Sequence, residues 1–311
     1  MKITVVIPLY NKQATIQRAL QSVLTQTVQP EEIIVVNDGS TDGSEKVVES
    51  LNYPLINLIH QANAGVSTAR NRGIDESTGD WIAFLDADDE WLPEYLETIQ
   101  NLAQTYPQCM VLATSYFLQD FTGRKKTIRL KKMPFNSDQG VLSNYFQVAS
   151  CSHPPVWSSA VVVKKEAIQS VGGFPAGIIS GEDLLTWAKL AVKYKIAYST
   201  RLLSVFMIDN SHIVSNLPSR LPDTRDFVGD ELKKMYLNSE GKLKIDLKKY
   251  LSLWYKMRAS VYLRNGEKSK VWKYTFKSLN YNFLNYKNYL FMLMSILPIK
   301  VQKLIAKIYT V

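Results

Sequence analysis

Three acidic side chains are crowded into residues 84–93, which read FLDADDEWLP. Asp86, Asp88 and Asp89 follow directly after an apolar run that we predict to be a buried strand. Carboxylates this close repel one another and gain nothing from a neighbouring core. One explanation is an acidic cap on the helix predicted to follow, because carboxylates are favoured at helix N-termini. A cap suits Asp89 but not Asp86, which lies too far upstream. The other explanation is a site in which a ligand offsets the repulsion.

Polar residues also stand at the ends of the other predicted strands. Pro8 and Tyr10 end the first strand, Asp38 ends the second, and Asn63 with Gly65 follows the third. A single polar residue in such a place means little, because loops are polar in general. Together, however, they lie where successive strands of a parallel sheet end, and such sheets bind their ligands at that edge. We therefore predict that these residues and the acidic cluster form the floor of one pocket.

The elements that position these residues alternate between strand and helix. Short β-branched runs predict buried strands, and apolar residues at helical spacing, such as Ile16, Leu20 and Val23, predict the helices between them. This alternation predicts a mainly parallel sheet with right-handed crossovers. The predicted strands are 2–10, 31–44 with its terminal turn, 55–60, 81–86, 110–120 and 197–208; the predicted helices are 11–26, 45–51, 65–77, 93–102 and 181–194; a basic connector is predicted at 124–132, and a strand, a helix and a Gly-Gly turn within 156–174.

The composition excludes several classes of protein. The chain has 311 residues, of which 46% are hydrophobic, and this predicts one or two domains. Two cysteines cannot build a disulfide framework, and three histidines cannot build a histidine-rich metal cluster. The first predicted strand begins at Ile3 and leaves no room for a secretory signal, so we expect a cytoplasmic location.

Charge divides the chain into two parts. Residues 231–311 contain 17 Lys and Arg against 4 Asp and Glu, whereas the first 230 residues contain 20 against 24. We place the boundary in the Pro-containing stretch NLPSRLPD, which gives domains 1–218 and 219–311. The second domain is predicted to be helical, with lysines and aromatic residues interleaved. It could pack against the sheet, or it could present a basic amphipathic surface to an anionic membrane leaflet. Its most apolar stretch, 288–298, is shorter than the roughly 20 residues of a membrane span.

Six motifs together carry a resemblance. In chain order they are IPLYNK, VVNDGSTD, NAGVSTARNRG, FLDADD, GGF and GED, over about residues 2–215. In this order they resemble an inverting family 2 glycosyltransferase. The resemblance implies an α/β fold of the GT-A type, with a mainly parallel nucleotide-binding sheet flanked by helices and followed here by a basic helical extension. It also implies transfer of a sugar from a nucleotide diphosphate sugar, with a UDP-sugar favoured, to a hydroxyl of a glycan or glycolipid in cell-surface polysaccharide synthesis.

The same resemblance assigns roles at the acidic cluster. Asp88 would coordinate a divalent metal, Mn²⁺ or Mg²⁺, and Asp86 would face the ribose and the metal shell. A hard cation neutralises the leaving diphosphate without proton transfer, and it needs only one or two aspartates because phosphate and water fill its other positions. Asp89 is left as a solvated or helix-capping residue.

Further roles for the nucleotide site follow from the resemblance. Asp38 would accept the uracil ring N–H, and Pro8 and Tyr10 would supply backbone contact and stacking. Arg70 would place a cation near the nucleotide and phosphates. Asn63 and Gly65 would shape the same wall, with Gly65 letting the backbone approach the ligand.

The resemblance also names a catalytic base. Inversion requires a carboxylate that takes the proton from the attacking hydroxyl, and Asp183 of the GED motif would be that group. Glu182 beside it would support the base or bind the acceptor. Taken without the other motifs, the same two residues are typical of the acidic first turn of a helix.

The roles of three further residues remain open at this stage. Relatives carry a histidine where this chain has Ile208, and His212 could complete the metal site from a loop or be an ordinary surface residue. Trp157 could stack on a sugar or pack in the core. His153 lies in the same region, where relatives shape the acceptor pocket.

Two other functions compete with the enzyme. A catalytically silent protein could bind nucleotide sugars or dock on a membrane as part of an assembly. A nucleic-acid role for the basic region is weaker, because no recognised binding motif accompanies the charge. An enzyme of this class would lie in the cytoplasm, either free or peripheral on the inner face of the cell membrane.

Overall fold

The architecture is described by a computed structural model covering residues 1–208, 221–298 and 301–302. Two of our predictions, the domain boundary between residues 218 and 219 and the role of His212, fall outside these residues. Within them the predicted strands and helices occur in the predicted order, with a few short elements between them that we did not predict. The sheet, predicted to be mainly parallel, contains both parallel and antiparallel pairs.

The chain divides into two units. The first, which we call the sheet unit, comprises Met1–Ile178 and Glu182–Met207. The second, which we call the helical unit, comprises Ile208–Val311 together with the short segment Ile179–Gly181. The first residue of the GED motif, Gly181, thus belongs to the helical unit, together with the two residues before it. Glu182, the next residue along the chain, belongs to the sheet unit.

One 10-stranded sheet forms the centre of the sheet unit, in the order β3-β2-β1-β4-β9-β6-β10-β5, with β7 on β6 and β8 on β10. The four strands β1 to β4 pair in parallel, and β6 pairs in parallel with β10. β9 is antiparallel to both of its neighbours. The strands are β1 (Ile3–Leu9), β2 (Glu32–Asp38), β3 (Ile56–Gln61), β4 (Trp81–Phe84), β5 (Glu90–Trp91), β6 (Val111–Gln119), β7 (Lys125–Thr127), β8 (Gln139–Val141), β9 (Val161–Lys164) and β10 (Ile196–Met207).

Helices flank this sheet and make up most of the helical unit. The sheet unit contains α1 (Ile16–Leu24), α2 (Ser44–Leu51), α3 (Val66–Glu76), α4 (Tyr95–Thr105), α5 (Tyr145–Cys151), α6 (Lys165–Ser170) and α7 (Glu182–Lys193). The helical unit contains α8 (Phe227–Leu237), α9 (Gly241–Arg264), α10 (Lys268–Tyr281) and α11 (Tyr286–Ile296). In the described residues, no helix combines the length and the apolar character needed to cross a membrane.

The strands and helices form for simple reasons. β1 is apolar on both faces and almost wholly buried, as expected for a parallel strand covered by helices on each side. α1 buries Ile16, Ala19, Leu20 and Val23, which recur at the spacing of one helix face. It begins five residues later than we predicted, because residues before Ile16 form a turn in which Lys12 accepts from the amides of Thr15 and Ile16.

The register of the sheet brings the predicted pocket residues to one edge. Leu9 of β1 lies beside Asn37 of β2, and Asp38 lies beside Gln61 of β3. On the other side of β1, Val6 lies beside Phe84, the last residue of β4. The residues that follow these strand ends therefore meet at the carboxyl edge of the sheet.

The helical unit holds the segment that leads to the GED acids. The amide of Ile179 donates to Asp223 Oδ2 at 3.1 Å. Gly181 has a φ of +86°, and a Cβ placed there would lie 2.6 Å from Cη2 of Trp254. A glycine is required at this position both by the backbone conformation and by the indole packed against it. The peptide that enters Glu182 and Asp183 is thus fixed by residues of the helical unit.

We expect Gly181→Ala to destabilise the protein more than Gly177→Ala. Gly177 has a comparable φ of +74° but nothing within 4 Å of a built Cβ, so it isolates the cost of the conformation, about 1–2 kcal/mol. Gly181→Ala should add about 1–3 kcal/mol from the clash with Trp254. Urea unfolding of both variants measures the difference, and equal losses of stability would show that the indole does not constrain this segment.

Candidate active site

The acidic cluster is balanced by buried and half-buried cations. Asp86 follows β4 and lies 2.6 Å from the guanidinium of Arg70, whose residue is almost fully buried on α3. A buried carboxylate–guanidinium pair costs desolvation, and it persists only where geometry and further hydrogen bonds compensate. The backbone amide of Asp86 also donates to Ser159 Oγ at 3.0 Å. Asp86 is therefore held at both its side chain and its main chain.

Asp88 has a different partner. Its Oδ2 lies 2.5 Å from Nζ of Lys12, in the loop after β1, and 35% of its side chain is exposed. The guanidinium of Arg18 donates to the Asp88 carbonyl at 2.5 Å. Asp88 is thus a partly exposed carboxylate that already pairs with a cationic side chain from another loop. Such an oxygen donor suits a hard cation that keeps positions free for phosphate. In the part of the chain that the structure describes, no three His, Cys, Asp or Glu side chains form a metal-binding group.

Asp89 is neither solvated nor a helix cap, and our prediction for it was wrong. It is fully buried, and its two carboxyl oxygens accept from Ser159 Oγ at 2.6 Å and from the Met207 amide at 3.0 Å. Burial, followed by the charges of Asp86 and Asp88, raises the pKa of Asp89 well above its ordinary value. Asp89 therefore keeps its proton to a higher pH than an ordinary aspartate, and its two hydrogen bonds join the loop after β4 to the end of β10.

Arg70 connects three of the sequence motifs. Besides Asp86, its guanidinium lies 3.7 Å from Glu182 of GED, and it stacks over the ring of Phe174 of GGF at 5.1 Å. Burial alone would lower the pKa of Arg70, but the nearby carboxylates of Asp86 and Glu182 outweigh it and raise that pKa. Arg70 is thus a fixed positive charge at the centre of the site.

Asp183 lies next to this charge. It is half-buried at the start of α7, and its Oδ1 accepts from the Leu184 amide at 2.7 Å. Enclosure by protein raises the pKa of Asp183 above its ordinary value; Arg70 and the amide bonds oppose the rise, and the Asp86 charge adds to it. A raised pKa makes a carboxylate a better proton acceptor, as a general base requires. The acidic first turn of α7 is thus also a titrating group beside a buried cation.

Asp38 has a structural role, because its carboxylate accepts hydrogen bonds from the neighbouring strand and turn. It is buried at the end of β2; Oδ1 accepts from Gln61 Nε2 at 2.7 Å and from the Ala64 amide at 2.8 Å. Oδ2 accepts from the Gly65 amide at 2.9 Å. The carboxylate therefore shapes the turn that carries Asn63, and the exposed Gly65 has a φ of +90°, which only glycine adopts readily.

The other predicted residues differ in how close they lie to this centre. Pro8 and Tyr10 end β1, and 47% of Tyr10 is exposed. Trp157 is half-buried in an aromatic group with Tyr116 at 6.0 Å and Phe206 at 4.3 Å. Burial raises the pKa of Tyr116, and the charges of Asp183 and Asp89 contribute to the rise, so this group adjoins the site.

His153 is exposed and forms a hydrogen bond with a neighbouring loop. Its Nδ1 accepts from the amide of Arg129 at 3.1 Å, and Arg129 lies in the stretch that we predicted to be a charged connector. This bond gives the ring a structural use, and its predicted acceptor role stays a prediction.

Three residues of the site were missed in the sequence. Lys12 pairs with Asp88 across 76 positions, and Ser159 contacts Asp89 across 70. Arg18 reaches the same loop from α1. Lys12 belongs to the motif IPLYNK, and this was the one feature of the sequence that could have pointed to it. No feature of the sequence pointed to Ser159.

Asp89→Ala and Asp89→Asn should separate the role of the hydrogen bonds from that of the charge. Alanine leaves the Met207 amide and Ser159 Oγ without their buried partner, so we expect a loss of about 1–3 kcal/mol in the free energy of unfolding. Asparagine keeps an oxygen for the Met207 amide, and its Nδ2 can donate to Ser159 Oγ if that hydroxyl turns from donor to acceptor, so it should lose less. Equal losses in denaturant melts would contradict this account of Asp89.

Comparisons with known proteins agree on one family. The profile described as Glycosyl transferase family 2 matches residues 4–157. The uncharacterized glycosyltransferase alr2836 of Nostoc sp. is 30% identical over 251 residues, which cover 76% of this chain and 75% of that protein. The uncharacterized glycosyltransferase YibD of Escherichia coli is 49% identical over 104 residues, a match that spans only 30% of YibD.

Solved structures show the same fold. S. aureus TarS matches with a TM-score of 0.66 at 19% identity, over 90% of this chain and 81% of that one. TarS in complex with UDP-GlcNAc matches over 100% of this chain and 92% of that one, at 18% identity and the same TM-score of 0.66. The structural matches show the GT-A fold, and the sequence matches show the family. The chain belongs to the family 2 glycosyltransferases.

Proposed function

We propose that this glycosyltransferase moves a sugar from a UDP-sugar to a hydroxyl of a glycan or glycolipid acceptor, with inversion and with Asp183 as the base. The observation that carries the proposal is the placement of Asp183, a half-buried carboxylate of raised pKa beside the buried guanidinium of Arg70. The same guanidinium binds Asp86, at the sheet edge where a nucleotide would lie. One fixed charge thus links the base to the donor side.

The reaction needs one proton acceptor and one leaving group. The acceptor hydroxyl attacks the anomeric carbon and gives its proton to the Asp183 carboxylate. The bond from that carbon to the diphosphate oxygen breaks, and UDP leaves with the electron pair. The transition state is oxocarbenium-like, as in glycoside hydrolysis. The Leu184 amide holds Oδ1 of Asp183 and so fixes the direction of the carboxylate.

The nucleotide would lie along the ends of β1, β2 and β3. Both oxygens of Asp38 already accept amide hydrogens, but a carboxylate has about four acceptor positions, so it can still take a uracil N–H. The exposed ring of Tyr10 is available for stacking on the base. Asn63 and Gly65 form the wall that Asp38 holds in place. The solved complexes of TarS with UDP and with UDP-GlcNAc support a uridine nucleotide here.

A divalent cation, Mn²⁺ or Mg²⁺, would be held by Asp88 with Asp86 beside it. When bound, it supplies positive charge that stabilises the departing diphosphate. Asp88 fits this role because its side chain is the most exposed of the three acids, at 35% against 24% for Asp86, and it already binds a cationic side chain. Lys12 and Arg18 bring two more positive charges to the same loop, where they can help to retain the phosphates.

The acceptor side is proposed from the aromatic group near Asp183. Trp157 lies beside Tyr116, and its half-buried ring could pack on a sugar face; Glu182 could hold an acceptor hydroxyl. We place the reaction in the cytoplasm, at the inner face of the cell membrane, where lipid-linked and polysaccharide acceptors are extended.

Asp183→Asn should lower kcat/KM by about 10²–10⁴-fold, because it removes the proton acceptor. UDP binding should stay within about twofold of the wild type. The acid limb of the wild-type profile should have its midpoint above the ordinary aspartate value of 3.8, since raising the pKa means that activity is lost earlier as the pH falls. Rates are measured by UDP release from a panel of UDP-sugars.

The exposed Asp75 of α3 offers a matched control, and Asp75→Asn should behave as the wild type. Wild-type turnover by Asp183→Asn would refute the assignment of the base. A wild-type protein that binds UDP-sugars but releases UDP from none of them would instead favour the silent binding protein.

Asp88→Asn should remove the metal-dependent part of nucleotide binding. UDP raises the melting temperature of a protein that binds it, and Mn²⁺ should raise it further in the wild type. In Asp88→Asn the increment from Mn²⁺ should disappear, whereas in Asp75→Asn it should persist. If Mn²⁺ and Mg²⁺ add nothing to the effect of UDP on the wild type, the metal proposal is wrong.

A further inference from the structure

Helix α11 packs with its polar side inward and its apolar side outward. The buried residues of this helix are Asn288 and Ser295. Its exposed positions include Tyr286, Leu290 and Leu293, which recur at the spacing of one helix face. A helix on a water-exposed surface normally has the opposite arrangement. This reversed arrangement indicates that the exposed apolar side of α11 contacts a partner and not only water.

Specific bonds fix the helix in this orientation. Asn288 Nδ2 donates to Ser278 Oγ of α10 at 2.9 Å, and Ser278 in turn bonds to Ser252 of α9. Trp272 Nε1 of α10 donates to Ser295 Oγ at 3.0 Å. Rotating α11 to bury its leucines would break both contacts of its polar side. The outward direction of the apolar side is therefore built into the helical unit.

The exposed apolar surface continues beyond α11. Phe283 and Leu284, in the connection before the helix, are 68% and 75% exposed, and Leu293 is 64% exposed. We call Phe283, Leu284, Tyr286, Leu290 and Leu293 the apolar face. Exposed apolar side chains grouped in this way mark an interaction site.

The charge around the apolar face has one sign. In the described residues 268–298, which carry α10 and α11, there are five lysines and no aspartate or glutamate. Lys287 is exposed and follows Tyr286 directly, about 100° around the helix, so it flanks the apolar face. Burial, with a further effect of Lys287, lowers the pKa of Lys256 on α9, which shows that these positive charges lie close enough to repel. An anionic partner would relieve that repulsion.

We propose that the apolar face docks on an anionic lipid bilayer, with α11 lying in the plane of the interface. Lysines beside exposed leucine and aromatic side chains are the composition that such interfacial helices use. The helix has 11 residues, too few to cross a bilayer but enough to lie in its interface. A second copy of the chain is a poor occupant, because a symmetric contact would place lysines against lysines. The proposal concerns where the enzyme works, and it does not depend on the identity of the donor or acceptor.

Leu293→Asp and Phe121→Asp test the proposal as a matched pair. Phe121 is 69% exposed in the sheet unit, so both variants add one negative charge in place of one well-exposed apolar side chain. The full-length proteins are sedimented with vesicles of phosphatidylcholine alone and of phosphatidylcholine with phosphatidylglycerol. The wild type should bind the anionic vesicles, less strongly at high salt, and at least about tenfold more weakly without the anionic lipid. Leu293→Asp should reduce binding by about tenfold or more, and Phe121→Asp should not.

Several results would overturn the proposal. One is failure of the wild type to bind anionic vesicles. Another is equal binding by both variants. A third is a wild-type dimer in analytical ultracentrifugation that Leu293→Asp dissociates, which would assign the apolar face to a second copy of the chain. Because vesicle binding is measured without donor, it can fail while UDP release succeeds, or the reverse. Both variants should keep the wild-type melting temperature and rate of UDP release, which excludes misfolding as the cause.

Discussion

The ion pair between the buried Arg70 and the half-buried Asp86 is the interaction on which the site depends. Three carboxylates at the end of one strand could not coexist near a core without compensation. Arg70 neutralises Asp86, Lys12 neutralises Asp88, and burial raises the pKa of Asp89. The same guanidinium reaches Glu182 and acts on the pKa of Asp183. One side chain thus ties the acidic loop after β4 to the start of α7.

Much of this could be predicted from the sequence, because it depends on local pattern. The β-branched runs of β1 and β2 fix where the strands end, and parallel pairing then brings Tyr10, Asp38 and Asp86 to one edge. What could not be predicted depends on contacts between distant residues. Asp89 looks like a capping residue until Ser159 and Met207 are seen to enclose it. Short strands such as β5 and β8 also carry too few residues to show a period.

The two units contribute differently to the enzyme. The sheet unit supplies the carboxylates and the guanidinium, and the helical unit includes the segment Ile179–Gly181, which precedes α7 in the chain. In the helical unit, polar residues such as Asn288 and Ser278 form buried hydrogen bonds with each other, whereas several apolar side chains are exposed. The basic charge found in the sequence therefore has a structural counterpart in a defined apolar face.

Arg70 opposes the rise in the pKa of Asp183, the carboxylate proposed as the base, that enclosure by the protein causes. The measurement that tests this claim most directly is the acid limb of kcat/KM for Arg70→Gln compared with the wild type, on protein shown to be folded by its UDP binding. Because Arg70 lowers the pKa of Asp183, its removal should raise that pKa and move the midpoint of the limb to higher pH. A midpoint that stays in place, or moves to lower pH, would contradict the claim.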